Sequence, residues 1–299
     1  MQTLVYELQD HTVHRPKLAL GKISLDQIKR SHIRDALLNI SKKGLSKSSV
    51  SMARNVISGT IEYAMEEELV TTNPTNGVLK KLGLDGRNRP LVQPMTPDEV
   101  SLFLGICSLH MKKWYPLFLC VFRTGMRLGE LLGLRWGDID WNSKSVQVQR
   151  SFRHGKLTGT KTRKSRRVDM SDQLVEELRG LLTNRKKEAM ATGTGEVVET
   201  IFHTSGKPTS QNTIRNIWKR LLKKAQLRNM RFHDIRHTYA SILLSRGESP
   251  VYVKEQLGHS SIQMTVYIYG HLIPGGNRQA VNALDDFATN RNLSATTKN

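Results

Sequence analysis

The 299-residue chain has little that would stack, staple or span. Aromatic residues make up only 6% of it, and it holds just two cysteines, Cys107 and Cys120. Sparse aromatics are a poor fit to a surface that grips single-stranded bases by stacking. Two cysteines in apolar segments, without CxxC spacing, read as buried thiols rather than as a disulfide or metal ligands. No apolar run reaches the ~18 residues that a membrane-crossing helix needs. The opening MQTLVYELQDHTVHRPK has neither the apolar core nor the small-residue cleavage site of a secretory leader. These absences point to a cytoplasmic protein. Acidic residues are also few: 46 Lys and Arg stand against 26 Asp and Glu, for a net charge of +20. Such an excess repels itself and is most simply understood if an anionic polymer binds it. Duplex backbone fits best, and its binding would weaken steeply with salt through counterion release.

What is present is mostly helical punctuation. SLDQIKRSHIRDALLNISKKG places an N-cap candidate at Ser24 and a stop at Gly44. In the next segment Val50, Ala53, Val56, Ile57, Ile61, Ala64 and Met65 form one stripe at helical spacing, ended by Asn73-Pro74. Residues 76–94, rich in Gly, Pro and Arg, read as an exposed linker between a helical domain at 1–75 and a second domain at 95–285, with a tail at 286–299. The second domain opens on a capping box, Thr96 to Glu99, with Pro97 at the first helical position. WYPLFLCVFRTGMRLGELLGL reads as a helix pair broken at Thr124-Gly125. SVQVQRSF, a turn at HGK, and KLTGTKTRKSRRVDM supply short strands. Helices return over 171–190 and 210–245. The fold class is therefore mainly α with a small antiparallel β-sheet.

Chemistry concentrates in a few places. In HDIRHTYASILL, His233, Arg236 and His237 stand at i, i+3 and i+4, on one face if the stretch is helical. Two histidines four apart resemble a zinc pair. A guanidinium on the same turn would repel a divalent cation, and no third ligand is evident. A solvated helix terminus is the plain alternative. A phosphate site fits better, because Arg236 offers a planar fork to two oxygens and His233 exchanges a proton near neutral pH. Metal-free phosphoryl transfer needs several cations for the developing charge. Arg127 begins a helix after the Thr-Gly break, where exposed amides also favour an anion, and Glu130 three residues on can orient it. Lys161 lies in a basic segment between strands. His259 follows a glycine that allows close backbone approach.

Five stretches in order, TGMRLGELLGLRW, TKTRKSRR, RFHDIRHTYASILL, LGHSSIQMT and YGHL, resemble the tyrosine recombinase (phage integrase) family. ISLDQIKRSHIRDALLNISKKGLSKSSV resembles that family's SAM-like core-binding domain, so the likeness covers nearly the whole chain. It implies a site-specific DNA recombinase that cleaves and rejoins duplex DNA through a 3′-phosphotyrosyl link, with no cofactor and no metal. The element it serves would be a phage or genomic island. Near alternatives are an Xer-type chromosome or plasmid resolvase and a catalytically inactive DNA-binding relative.

Carried over by motif, Arg127 and Arg236 would clamp non-bridging oxygens. Lys161 would protonate the leaving 5′-oxygen, and His233 would assist proton movement at the nucleophile. His259 would bond a non-bridging oxygen, while Glu130 orients Arg127. Residues two apart on a helix lie ~200° apart, so only one of Tyr267 and Tyr269 can face such a site. Tyr269 shares a face with Thr265 and Ile262 and precedes Gly-His, as the family's Tyr-x-His ending does, which makes it the expected nucleophile. His237 is expected to matter least of the three residues on its helix. The resemblance further implies a homotetramer on two synapsed sites, a C-terminal tail docking on a neighbour, and room for an accessory DNA-bending or excision factor. No membrane partner is implied, and the chain would be nucleoid-associated when bound. Met1 falls partway into what is usually a full first helix of the core-binding domain. A misassigned start codon, a truncated gene or a short two-domain form without the arm-binding domain would each account for this.

Overall fold

The computed structural model describes residues 19–84, 93–159 and 165–269, together with residue 282. The chain divides into two units, Met1–Leu91 and Val92–Asn299. In the first, 3-10 turns at Ala19–Lys22 and Leu25–Gln27 lead into α1 (Arg30–Lys42), α2 (Lys47–Glu66) and the single turn α3 (Val78–Lys81). Ser24 caps no α-helix: its hydroxyl bonds the Asp26 carboxylate, Ile28 is extended, and α1 starts only at Arg30. Ser46 does cap α2, its hydroxyl oxygen accepting from the Ser49 amide. Val50, Ile57, Ile61 and Ala64 of the expected stripe are buried, whereas Val56 and Met65 face outward. Val50, Ile57 and Ile61 pack with Ile33, Leu37 and Ile40 of α1.

The linker expected over 76–94 does not begin at residue 76. Val78 is buried in this same core, and Leu79, Leu82 and Leu84 pack against it. The glycines and lysines of NGVLKKLGL masked four apolar residues close enough to anchor one turn of helix.

The second unit opens with α4 (Pro97–His110), whose capping box is complete: Thr96 accepts from the Glu99 amide and Glu99 from the Thr96 amide. There follow α5 (Tyr115–Thr124), α6 (Leu128–Leu132), the strands β1 (Ile139–Asp140), β2 (Ser145–Val148), β3 (Arg150–Arg153), β4 (Lys156–Gly159) and β5 (Arg166–Asp169), then α7 (Asp172–Ala191). Two short strands, β6 (His203–Thr204) and β7 (Lys207–Pro208), precede α8 (Gln211–Lys224), α9 (Asp234–Ser245), α10 (Pro250–Leu257) and α11 (Ile262–Tyr269). The strands form small antiparallel sheets, β1-β2-β5, β3-β4 and β6-β7. The β3-β4 and β6-β7 hairpins each turn on a pair of positive-φ residues, His154-Gly155 and Ser205-Gly206, the backbone twist that suits a two-residue hairpin loop. The second hairpin escapes sequence reading because strands of two residues show no alternation.

Trp218 of α8 is the centre of the core. Phe103 stands 4.7 Å from it, centroid to centroid, with Phe118, Phe122 and Phe232 around it. Its indole N–H donates to the Met230 carbonyl at 2.7 Å, so no polar atom of the ring is stranded. Cys107 and Cys120 are free and buried, and burial pushes both thiols up to about 12, which leaves them unreactive.

Close backbone packing seats α6 on the β3-β4 hairpin. A Cβ on Gly129 would lie 2.5 Å from Ser151 Oγ and 3.2 Å from the Phe152 carbonyl oxygen. Gly129→Ala should therefore lower stability by ~1–3 kcal/mol through overpacking. Gly180→Ala, in the middle of α7 with nothing within 4 Å of the added carbon, should raise it by ~0.5–1 kcal/mol. Urea midpoints of the two variants should move in opposite directions; a shared direction would refute the packing argument.

Candidate active site

The site is built around the break between α5 and α6. Gly125 takes φ +60, and a Cβ there would meet Tyr239 at 2.6 Å and Leu257 at 2.8 Å. The turn sends Arg127 out as the N-cap of α6. The Arg127 amide donates to Glu130 at 2.9 Å, and its guanidinium donates to the other carboxylate oxygen at 2.8 Å. Glu130 is buried and also accepts two bonds from Arg166 of β5, at 3.0 and 2.7 Å. Burial opposes its ionisation, but the hydrogen bonds and charge of Arg166, with the charge of Arg127, outweigh this and hold the carboxyl down at about 2.

Arg236 of α9 is buried, 3% exposed. It donates to the Gly125 carbonyl at 3.1 Å and to the Leu257 carbonyl. Arg127 reaches the next carbonyl, of Gly258, at 3.4 Å. Both guanidiniums are thus tied to the C-terminal end of α10, where unpaired carbonyls and the helix dipole favour positive charge. Burial, then the charge of Arg127, pull the Arg236 pKa down, yet a guanidinium stays charged at neutral pH.

Gly258 ends α10 at φ +63, and a Cβ on it would lie 2.8 Å from Arg166 Cδ. Arg166 also donates to the Gln256 carbonyl at 2.9 Å. The same turn presents His259, whose Nδ1 is 2.9 Å from the Thr265 hydroxyl of α11. Burial, followed by the charges of Arg236 and Arg127, lowers His259 to about 3.

His233 stands at the N-cap of α9 in helical conformation, its ring 5.5 Å from that of His237 and nearly perpendicular to it. Burial and then Arg236 lower its pKa. Tyr269 is 4% exposed and packs with Tyr239, Ala240, Leu244, Val253 and Leu257. Its hydroxyl is hydrogen-bonded to His237 Nδ1, and burial raises the phenol's pKa.

The structure therefore brings Arg127, Glu130, Arg236 and His259 around one helix end, with Tyr269 and His233 each beside His237. Lys161 lies outside the described residues, between the chain ends of β4 and β5, and so does the Tyr267 side chain. Two participants were missed. Arg166 looked like one charge in a basic run, although it shares a strand face with buried Val168, two residues on. His237, expected to matter least of its helix trio, is the residue that holds the tyrosine; its partner lies on another helix, which spacing within one motif cannot reveal. Among the described residues, no group of three or more His, Cys, Asp or Glu side chains is placed to hold a metal ion, and no helix is long and apolar enough to cross a membrane.

Guanidiniums gathered beside imidazoles and a tyrosyl hydroxyl suit a phosphate ester attacked by oxygen. Comparison with known proteins agrees. Residues 93–274 match the phage integrase family. The ICEBs1 integrase of Bacillus subtilis (strain 168) is 30% identical over 276 residues, which cover 89% of this chain and 73% of that protein. A XerC-like tyrosine recombinase of Caldanaerobacter subterraneus subsp. tengcongensis is also 30% identical, over 89% of this chain and 72% of its own. The Tn1549 transposon integrase, solved with circular-intermediate DNA, superposes with a TM-score of 0.72 at 22% identity, covering 90% of this chain and 88% of that one. The chain belongs to the phage integrase family. It is a site-specific tyrosine recombinase.

Glu130 gives a test of the site's electrostatics. Folding lowers its pKa from 4.5 to about 2, so its contribution is complete above the unfolded value and drains away as pH falls towards the folded one. Glu130→Gln should cost ~3–5 kcal/mol at neutral pH, by leaving two guanidiniums without their counter-charge. The variant should also lose less stability than wild type as pH falls through that window. Parallel pH–stability curves would show that the carboxylate is not the group holding the arginines.

Proposed function

We propose that this recombinase cuts and rejoins duplex DNA through a 3′-phosphotyrosyl intermediate on Tyr269, integrating or excising a mobile element. The observation that carries the assignment is the hydroxyl of a buried tyrosine at the end of α11, in the same unit as two guanidiniums anchored to one helix terminus. Arg127 and Arg236 each have N–H groups beyond those bonded to carbonyls or Glu130, and these donate to the non-bridging oxygens of the attacked phosphate. Because the carbonyls hold both guanidiniums before DNA arrives, little reorganisation is needed as charge develops in the pentavalent transition state. His259 is neutral, and in the tautomer whose Nδ1 accepts from the Thr265 hydroxyl, its Nε2–H is the donor to a phosphate oxygen. Lys161 protonates the departing 5′-oxygen, and His233 assists proton movement. The bond energy stays in the phosphotyrosyl link, so a 5′-hydroxyl from a partner duplex reverses the step without ATP.

The net charge of +20 supplies non-specific affinity for the duplex. Four protomers on two synapsed sites would complete the exchange, with an accessory bending or excision factor setting its direction. An Xer-type resolvase is the second reading, favoured by the 30% identity to the XerC-like relative.

The test is covalent capture. The chain is incubated in EDTA with nicked duplexes of randomised core, and DNA that stays attached in SDS is recovered and sequenced. Wild type and Tyr267→Phe should capture DNA, and Tyr269→Phe should not. Adducts from Tyr269→Phe but not Tyr267→Phe would move the nucleophile to Tyr267, and no wild-type adduct would mark a DNA-binding relative without cleavage activity. A captured core matching the ends of a mobile element supports integration, while a chromosomal or plasmid resolution site supports the Xer reading.

A further inference from the structure

The Tyr269 hydroxyl is bonded to an imidazole that the motif comparison left without a role. His237 Nδ1 is its hydrogen-bond partner, and the two rings lie 5.7 Å apart, centroid to centroid. Both residues are set by packing. Tyr269 is buried against α9 and α10, and His237 lies one turn along α9 from His233. We propose that His237 takes the proton of the Tyr269 hydroxyl as the phosphodiester is attacked and returns it when the tyrosine leaves.

The inference rests on Tyr269 being the nucleophile. The step balances. The Tyr269 O–H bond breaks and the proton passes to His237 Nδ1, as the tyrosyl oxygen bonds to phosphorus. The bond from phosphorus to the 5′-oxygen breaks with its electron pair, and that oxygen receives a proton from Lys161. In the reverse step the imidazolium re-protonates the departing phenolate.

Charged and titratable groups around His237 come from its own helix and from its neighbours. His233, Asp234, Arg231 and Arg236 belong to α9 or its approach, Tyr269 to α11 and His259 to the turn after α10. Burial first, then His233, bring His237 down to about 4. The ring is therefore neutral at physiological pH, and in the tautomer with its proton on Nε2, Nδ1 accepts from the tyrosine hydroxyl. A bound phosphate adds negative charge nearby, which favours the imidazolium at the moment it forms. Burial raises the pKa of the tyrosine, so spontaneous ionisation of the phenol is disfavoured and a proton acceptor in contact matters more.

The experiment uses the full chain and a nicked duplex captured by wild type. First-order adduct formation is followed from about pH 5 to 9. His237→Ala should be slower by on the order of 10²-fold at neutral pH, should speed up as pH rises, and should be rescued by added imidazole. His237→Asn offers the tyrosine an acceptor of similar reach that cannot take its proton, and should remain slow. A wild-type rate in His237→Asn would reduce the histidine to a positioning contact and overturn the proposal. A loss in His237→Ala that is equal at every pH and not rescued by imidazole would overturn it as well. Adducts formed by Tyr269→Phe would instead remove the nucleophile reading on which the proposal stands. Loss of adducts in that variant, with His237→Ala unimpaired, would sink the proton acceptor alone.

Discussion

Like charges held side by side are the constraint around which the second unit is organised. Unit charges ~5 Å apart repel by roughly 3 kcal/mol at an effective dielectric near 20. Arg127, Arg166 and Arg236 converge on the buried carboxylate of Glu130, which bonds the first two and whose charge acts on the third. The remainder of the compensation comes from main-chain oxygens of Gly125, Gln256, Leu257 and Gly258. These oxygens are available because a helix ends here and because Gly125 and Gly258 adopt left-handed backbone. The positions of α5, α6, α9 and α10 follow from this requirement as much as from the apolar core beneath them. In the proposed reaction, the attacked phosphate would add its negative charge beside these guanidiniums.

The site also separates charge from proton transfer. Burial and the neighbouring arginines depress His233, His237 and His259, so the imidazoles are neutral where the guanidiniums are charged. In the proposed reaction, the arginines would supply field without exchanging protons, and the histidines would supply proton exchange without adding to the repulsion. An arriving phosphate would, in that proposed reaction, push the imidazole pKa values back up, coupling substrate binding to the readiness of these rings to hold a proton.

Features whose partners lie within one helical turn were legible in the sequence. The Thr96–Glu99 capping box, the pairing of Arg127 with Glu130 and the break at Gly125 all fall in this class. Interactions between remote segments were not. Arg166 finds Glu130 across 36 positions, and His237 finds Tyr269 across 32; no local period encodes either. The small anchoring turn at Val78 was hidden for a different reason, since its composition resembles a linker and only contact with α1 and α2 gives its apolar residues a purpose. The motif resemblance named most of the residues that converge, but the structure assigned the tyrosine's partner.

Gly258 carries a consequence for how this chain can diverge. A side chain there would collide with the stem of Arg166 and would also strain a backbone at φ +63. Withdrawing Arg166 to make room would take away the bonds that satisfy Glu130 and release the strand from the end of α10. A change at either position alone therefore disturbs the end of α10, which couples the two. Among descendants of this chain, the glycine and the arginine should be inherited or lost as a pair, a linkage imposed by volume and charge before selection on the DNA site begins.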